Sequence, residues 1–118
     1  MRRFSLGQFV SALERLDQKK PIRFDFGAFV PDGVASYRGN YADLAIGFKH
    51  WKEVTVAELL ADCKDAIGND FEGYKGGIYT MRGDSRLWVA NYGESSGTVI
   101  KKIKLDEWQY VIMTGYEG

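Results

Sequence analysis

The second half of the sequence is a series of short apolar segments whose connections are too brief to contain a crossover helix. Parallel neighbours need a connection of about a dozen residues, whereas antiparallel neighbours can be joined by a tight hairpin. We therefore expect mainly antiparallel pairing, with hairpin connections at residues 82–85 and at residues 106–107. The predicted strands in this half span residues 78–81, 87–91, 98–105 and 108–114.

Two earlier segments have helical periodicity. In residues 5–17, apolar side chains recur at three- and four-residue spacing, and Ser5 with Gln8 has the capping-box pattern. A second capping box opens residues 55–68, where Gly68 supplies the left-handed residue that commonly ends a helix. We therefore predict two amphipathic helices.

The remaining segments predict strands between the helices. Residues 22–30 alternate with period two, residues 31–33 (Pro-Asp-Gly) are typical of a turn, and residues 44–48 form a short alternating run. The element order predicts an α+β fold, with a single mainly antiparallel sheet of about five or six strands and two helices packed on one face. A chain of this length favours one domain over residues 1–118.

The charge balance argues against a nucleic-acid-coating protein. Lys and Arg together number 16 and so do Asp and Glu, so the formal net charge is zero. Because nucleic-acid affinity comes largely from basic side chains, we do not expect direct nucleic-acid binding. Lys101, Lys102 and Lys104 are interpreted as one solvated strand face, with a local basic patch as the alternative.

The sequence also predicts a cytoplasmic protein. It has no apolar run near 18 residues, so no membrane span or membrane partner is expected. Cys63 is the single cysteine, so no internal disulfide can form. Polar residues interrupt the apolar stretch after Arg2 and Arg3 that a signal peptide would require.

Few residues are suited to catalysis. A structural zinc site needs four ligands, and His50 and Cys63 are the only histidine and cysteine. We expect an exposed loop histidine, a buried cysteine that acts as a small hydrophobe, no cofactor and no catalytic residue. The alternative is a metal-dependent hydrolase or nuclease that uses Asp70 and Glu72 to hold magnesium.

Three segments, residues 36–41, 71–77 and 91–97, combine glycines, tyrosines and hydrogen-bonding side chains. Glycines let a backbone approach a ligand, and tyrosines offer a flat apolar face with a polar tip. Arg38 is suited to a bidentate phosphate or carboxylate contact, and Lys75 to a point charge. The predicted ligand-binding residues are Tyr37, Arg38, Asn40, Tyr41, Tyr74, Lys75, Gly76, Gly77, Asn91, Tyr92, Ser95 and Ser96.

Two other interpretations of these aromatics stay open. The three segments are also consistent with tight turns whose tyrosines cover the sheet edge, which is the more common role of such segments. Tyr, Trp and Arg are also enriched at protein interfaces, so an exposed cluster that includes Trp51, Trp88 or Trp108 would indicate a protein partner. The sequence leaves open whether the chain forms a homo-oligomer.

A set of motifs in residues 22–100 resembles small, mostly uncharacterised proteins of tailed bacteriophages and prophages. The group has no established catalytic residues, so the resemblance assigns none. The motifs are Ser36-Tyr37-Arg38-Gly39-x-Tyr41-x-x-Leu44-Ala45, Thr55-Val56-x-x-Leu59-Leu60, Phe71-x-Gly73-Tyr74-Lys75-Gly76-Gly77-x-Tyr79-x-Met81 and Leu87-Trp88-Val89-Ala90-Asn91-x-Gly93.

The resemblance implies the cytoplasm of an infected bacterium as the setting. By analogy with other small phage proteins, it implies a non-enzymatic accessory protein in counter-defence or host takeover. Such a protein would bind a host protein or sequester a small nucleotide-like ligand. A structural component of the virion or of DNA packaging is a further alternative.

Overall fold

The computed structural model describes residues 3–90 and 97–116, which form two helices and eight strands. The helices are α1 (Leu6–Glu14) and α2 (Val56–Ala66). The strands are β1 (Ile22–Phe24), β2 (Phe29–Tyr37), β3 (Asn40–His50), β4 (Asp70–Glu72), β5 (Ile78–Thr80), β6 (Leu87–Val89), β7 (Thr98–Asp106) and β8 (Gln109–Tyr116).

Six of these strands form one mixed sheet in the order β1-β8-β7-β6-β3-β2. Three neighbouring pairs are antiparallel, while β1 with β8 and β3 with β6 are parallel. Strands β4 and β5 form a separate antiparallel hairpin. The predicted α+β class and the mainly antiparallel six-stranded sheet are therefore confirmed, and the placement of both helices on one face stays a prediction.

The short connection between β1 and β2 requires the sheet to curl. These two strands lie at opposite ends of the sheet order, yet only residues 25–28 join them. A fully extended connection of this length spans at most about 18 Å. The outer strands of a flat six-stranded sheet would be about 24 Å apart. The edges therefore approach each other, and β1 contacts β2.

Four phenylalanine rings fill the space where the two edges approach. The Phe26 ring centroid lies 5.1 Å from that of Phe24 and 5.6 Å from that of Phe29. The Phe48 ring, from β3, meets Phe26 at 5.3 Å and Phe29 at 4.9 Å, both close to perpendicular. Edge-to-face contacts of this kind stabilise aromatic clusters beyond the area they bury.

The main core joins both helices to alternate positions of the strands. Helix α1 contributes Leu6, Phe9, Val10 and Leu13, and α2 contributes four buried residues that include Cys63. We call the sheet face that joins this cluster the core face. Its fully buried strand residues include Ile22, Phe24, Leu44, Ile46, Leu87, Ile100 and Ile112.

The opposite, outer face carries a smaller buried cluster centred on Trp88. The rings of Tyr37 and Trp88 stack with centroids 4.5 Å apart and an angle of 3° between their planes. The Arg3 guanidinium lies 4.2 Å from the centroid of the Trp88 ring, and the indole N–H donates to the buried Asp43 at 2.9 Å. Trp88 is therefore a structural residue, not part of an exposed aromatic cluster.

Both helix starts are confirmed. Ser5 and Gln8 form the reciprocal capping box, in which each side chain bonds the other residue's backbone N–H. Thr55 accepts from the N–H of Glu58 at 3.3 Å, but the Glu58 carboxylate accepts from the Thr55 hydroxyl and not from its backbone N–H, so the second capping box is only half formed. Gly68 follows α2 with a φ of 85°. Helix α1 is shorter than the predicted span of residues 5–17.

The predicted strand over residues 22–30 is confirmed at residues 22–24 and 29–30 but is wrong at residues 25–28, because the chain bends after Phe24. The carboxylate of Asp25 accepts from the backbone N–H and the hydroxyl of Thr114, at 2.9 and 2.6 Å, which anchors the bend to β8. Gly27 adopts a φ of 51°, which an extended strand does not contain.

Two predicted turns also differ from the structure. Residues 31–33 lie inside β2, where Gly33 has a φ of 72° at a register shift, so the glycine serves a bulge and not a turn. Residues 82–85 contain a turn but no hairpin, because β5 and β6 belong to different sheets. The hairpin at residues 106–107 is confirmed by the pairing of Asp106 with Gln109.

Neither helix in the described part of the chain has the length and apolarity needed to cross a membrane.

Replacing Asp43 by Ala should lower the free energy of unfolding by about 1–3 kcal/mol, because the buried indole N–H of Trp88 loses its acceptor. Asp43→Asn keeps an acceptor oxygen and should lose less. Urea unfolding followed by tryptophan fluorescence measures both changes.

The control is Asp84→Ala, which removes an exposed carboxylate and should change the free energy by less than about 0.5 kcal/mol. Equal effects of Asp43→Ala and Asp84→Ala would contradict a structural role for the Asp43–Trp88 bond.

Candidate functional site

Two of the three predicted binding segments meet at the ends of two hairpins. Arg38 lies in the turn between β2 and β3, and Tyr74 lies in the connection between β4 and β5. The guanidinium carbon of Arg38 is 3.7 Å from the centroid of the Tyr74 ring, a cation–π contact. The two segments are 36 residues apart in the sequence, as the two residue numbers show, so tertiary structure brings them together.

A second contact holds the two hairpins together beneath this stack. A Cβ atom at Gly73 would lie 2.9 Å from ring atom Cδ2 of Tyr41, so only glycine allows this approach. The Tyr41 ring also meets the Tyr79 ring edge-on, with centroids 5.7 Å apart. Tyr41 is half-buried between the hairpins and supports the surface above it.

Two glycines give the β4–β5 connection its shape. Gly76 and Gly77 have φ values of 95° and 85°, which side-chain-bearing residues rarely adopt. The N–H of Gly73 donates to the carbonyl of Gly77 at 3.0 Å, and the N–H of Gly76 donates to the carbonyl of Gly73 at 2.9 Å. The glycines therefore shape the loop that presents Tyr74 and Lys75.

The two hairpins expose apolar and basic side chains, together with the carboxylate of Glu72, which pairs with Ile78. Tyr74 is 62% exposed and Ile78 is 66% exposed, and Arg38 and Lys75 are also exposed. We call these four residues the hairpin-tip surface. Sequence analysis did not include Ile78, although its position beside the Gly76-Gly77 pair was the signal that could have indicated it.

The Arg38–Tyr74 stack orients a group that can bind an anion. The N–H groups of a guanidinium lie in its own plane. When the guanidinium stacks on a ring, these groups therefore point sideways and stay available to a ligand. Two parallel N–H groups match the oxygens of a carboxylate or a phosphate. The stack therefore orients the Arg38 guanidinium for a bidentate contact with an anion. Lys75, the residue after Tyr74, supplies a second positive charge.

The other predicted binding residues have different surroundings. Tyr37 is buried against Trp88, and its hydroxyl accepts from the N–H of Gly97 at 3.0 Å, so its ring has no open face. The Asn40 side chain accepts from the N–H of Ala42 at 3.2 Å within its own turn. The predicted residues Asn91, Tyr92, Ser95 and Ser96 lie outside the described residues.

The cavities described in the structure lie elsewhere. The largest, of about 710 Å³, lies along the α1 segment and includes Ser11, Arg15 and Lys101 in its lining. A second, of about 360 Å³, is lined mainly by apolar and aromatic residues such as Phe26 and Phe48. Neither includes a residue of the hairpin-tip surface, and the same is true of a small third cleft.

The third cleft, of about 120 Å³, brings three carboxylates together: Asp32, Glu58 and Asp62. Partial burial raises the pKa of Asp62, and the nearby carboxylates of Asp32, Glu58 and Asp65 raise it further. Lys49 offsets part of this charge through an ion pair with Asp32 at 3.4 Å.

The residues considered for catalysis are placed as follows. Asp70 and Glu72 are exposed on β4, and Asp70 accepts a hydrogen bond from the Thr80 hydroxyl. The described residues contain no group of three or more His, Cys, Asp or Glu side chains arranged to hold a metal ion.

Burial raises the pKa of the Cys63 thiol to about 12, which leaves it unreactive. His50 is exposed but ends β3, where the prediction placed a loop.

No family model, no curated protein and no solved structure matches this chain. The functional argument therefore depends on the residues and their geometry.

Replacing Gly76 by Ala should lower the free energy of unfolding by about 1–2 kcal/mol, because alanine pays a steric cost at a left-handed φ. No atom lies within 4 Å of the position that the new Cβ would occupy, so backbone strain is the only expected cost. Urea unfolding measures the change.

Gly83→Ala is the matched control, because Gly83 has an ordinary φ and its nearest neighbour would lie 4.0 Å from the added Cβ. We expect a change smaller than about 0.5 kcal/mol. If Gly76→Ala costs no more than this control, the loop conformation described above is wrong.

Replacing Asp62 by Asn should stabilise the protein at neutral pH by a few tenths of a kcal/mol. The raised pKa means that the folded state binds the Asp62 proton more tightly than the unfolded state does. The ionised side chain therefore costs stability above that pKa, and the cost vanishes as the pH falls below the ordinary aspartate pKa of about 3.9.

Unfolding of both proteins between neutral and acidic pH measures this difference. Glu53→Gln, which neutralises an exposed carboxylate outside the cleft, should show no such pH-dependent gain. A gain for Asp62→Asn that persists unchanged at acidic pH would rule out ionisation as its cause.

Proposed function

We propose that this protein acts by binding and not by catalysis, and that its partner is a protein that contacts the hairpin-tip surface through acidic side chains. The observation that carries the proposal is the Arg38–Tyr74 stack, which joins two distant segments and leaves both side chains exposed. Arg and Tyr are among the residue types that contribute most binding energy at protein interfaces.

The shape of the surface favours a protein over a small molecule as the partner. Small ligands bind mainly in concave sites that bury most of their surface. The hairpin-tip surface lines none of the cavities described above, and Tyr74 and Ile78 project from it. A small nucleotide-like ligand, whose phosphate would meet Arg38, is the competing candidate.

The biological setting comes from the sequence resemblance alone. We propose an accessory protein of a tailed bacteriophage or prophage that acts in the bacterial cytoplasm, in counter-defence or in host takeover. A metal-dependent hydrolase and a virion component have no comparable observation in their favour.

The experiment compares the wild type with an Arg38→Ala/Tyr74→Ala double variant. Each protein is used to capture partners from a bacterial lysate, and the captured proteins are quantified by mass spectrometry. We expect the double variant to lose about tenfold or more of the partner that the wild type captures, because it lacks both side chains of the stack.

Arg82→Ala is the matched control, because it removes an exposed arginine outside the hairpin-tip surface. It should capture the partner as the wild type does. Equal capture by the wild type and the double variant would show that the hairpin-tip surface is not the binding site.

A thermal-shift assay with linear and cyclic nucleotides tests the competing candidate. A ligand present at a hundred times its dissociation constant adds about 2.7 kcal/mol to stability. The protein-partner proposal predicts no shift. A thermal shift that Arg38→Ala abolishes would show that the ligand of this surface is a nucleotide and not a protein.

A further inference from the structure

Strand β7 has an open edge in the middle of the sheet. On one side it pairs with β8 from Thr98 to Asp106, with a bulge at Lys101, but on the other side it pairs with β6 only at Val99, opposite Trp88. The N–H of Phe4 then donates to the carbonyl of Ile100 at 3.4 Å. Among the described residues, no further backbone bond covers the following stretch, residues 101–106, on that side.

An open edge leaves backbone groups that a further strand can bond. In an antiparallel pair, successive residues direct their N–H and C=O groups alternately toward the partner and away from it. Beyond the bulge at Lys101, every second residue of 102–106 therefore directs these groups toward the open side. Such edges are the sites at which proteins accept extended peptides by strand addition.

The side chains along this edge differ between the two faces of the sheet. Ile103 lies opposite Ile112 and Leu105 lies opposite Tyr110, so both are on the core face. Leu105 is nevertheless 55% exposed. Lys102 and Lys104 lie on the outer face and are exposed.

A groove opens at the start of this edge. The 710 Å³ groove runs along the α1 segment, where Ser11 and Arg15 line it, and reaches β7 at Lys101. Arg15 and Lys101 add positive charge there, against the single carboxylate of Asp84. The groove therefore favours an acidic occupant.

The lysines argue against a second copy of this chain as that occupant. Antiparallel pairing of two β7 strands about Ile103 would set Lys102 of each copy opposite Lys104 of the other. Like charges placed directly opposite each other in a sheet are destabilising. Acidic side chains in the same positions would instead form favourable cross-strand pairs.

We propose that residues 101–105 of β7 accept an extended acidic segment of a partner protein as an added strand. Its acidic side chains would face Lys102 and Lys104, and its alternate apolar side chains would face Ile103 and Leu105. This edge shares no residue with the hairpin-tip surface, so the proposal is independent of the function proposed above.

The test uses a fluorescent peptide of about ten residues that alternates Glu and Val. Fluorescence anisotropy at about 50 mM salt, where charge pairs are weakly screened, measures its binding to the wild-type protein. We expect saturable binding, together with slower hydrogen exchange in residues 101–105. A peptide that alternates Lys and Val should not bind.

Two double variants separate a local charge effect from a general one. Lys102→Glu/Lys104→Glu should weaken binding about tenfold or more, whereas Lys19→Glu/Lys20→Glu makes the same change in net charge and should weaken it by less than about twofold. Equal weakening by both would show that the peptide senses only overall charge, which overturns the proposal.

A Glu-Val peptide that is N-methylated at its three central residues tests whether binding occurs by strand addition. This experiment uses only the wild-type protein, so it does not require any variant to fold. Its blocked backbone amides should abolish binding. Unchanged binding of the methylated peptide, or no binding of the unmodified peptide at up to about 1 mM, would overturn the proposal.

Discussion

The four-residue connection between the two edge strands is the constraint on which the rest of this structure depends. Because residues 25–28 are too short to reach across a flat six-stranded sheet, β1 and β2 approach each other and the sheet curls. The aromatic cluster around Phe26 then fills the space between the two edges, while the bulges in β2 and β7 allow the strands to bend.

The length of β6 and the separate β4–β5 sheet explain where surfaces are left available for binding. Strand β6 is only three residues long, so β7 extends beyond it and keeps an open edge. The β4–β5 hairpin lies outside the main sheet and packs against the β2–β3 hairpin through Gly73 and Tyr41. The tightly packed outer-face cluster, with Tyr37 stacked on Trp88, supports the sheet between these two surfaces.

The sequence indicated part of the candidate site but not its geometry. It identified Arg38 and Tyr74 by residue type, since arginine suits anions and tyrosine near glycine suits contacts. It could not show that Arg38 stacks on Tyr74, or that Tyr37 is buried one residue before Arg38. Whether a side chain at the end of a strand is buried or exposed depends on the register of that strand. A register shift of one residue moves each side chain to the other face of the sheet.

The sequence by itself determined the local elements whose signals lie within a few residues. These include the capping box at Ser5, the left-handed Gly68 after α2 and the hairpin at Asp106. Only tertiary structure decided the two parallel pairs, the bend at Asp25 and the meeting of the two hairpins. Each of these depends on contacts between residues far apart in the chain, such as Asp25 with Thr114, and such contacts leave no periodic trace in the sequence.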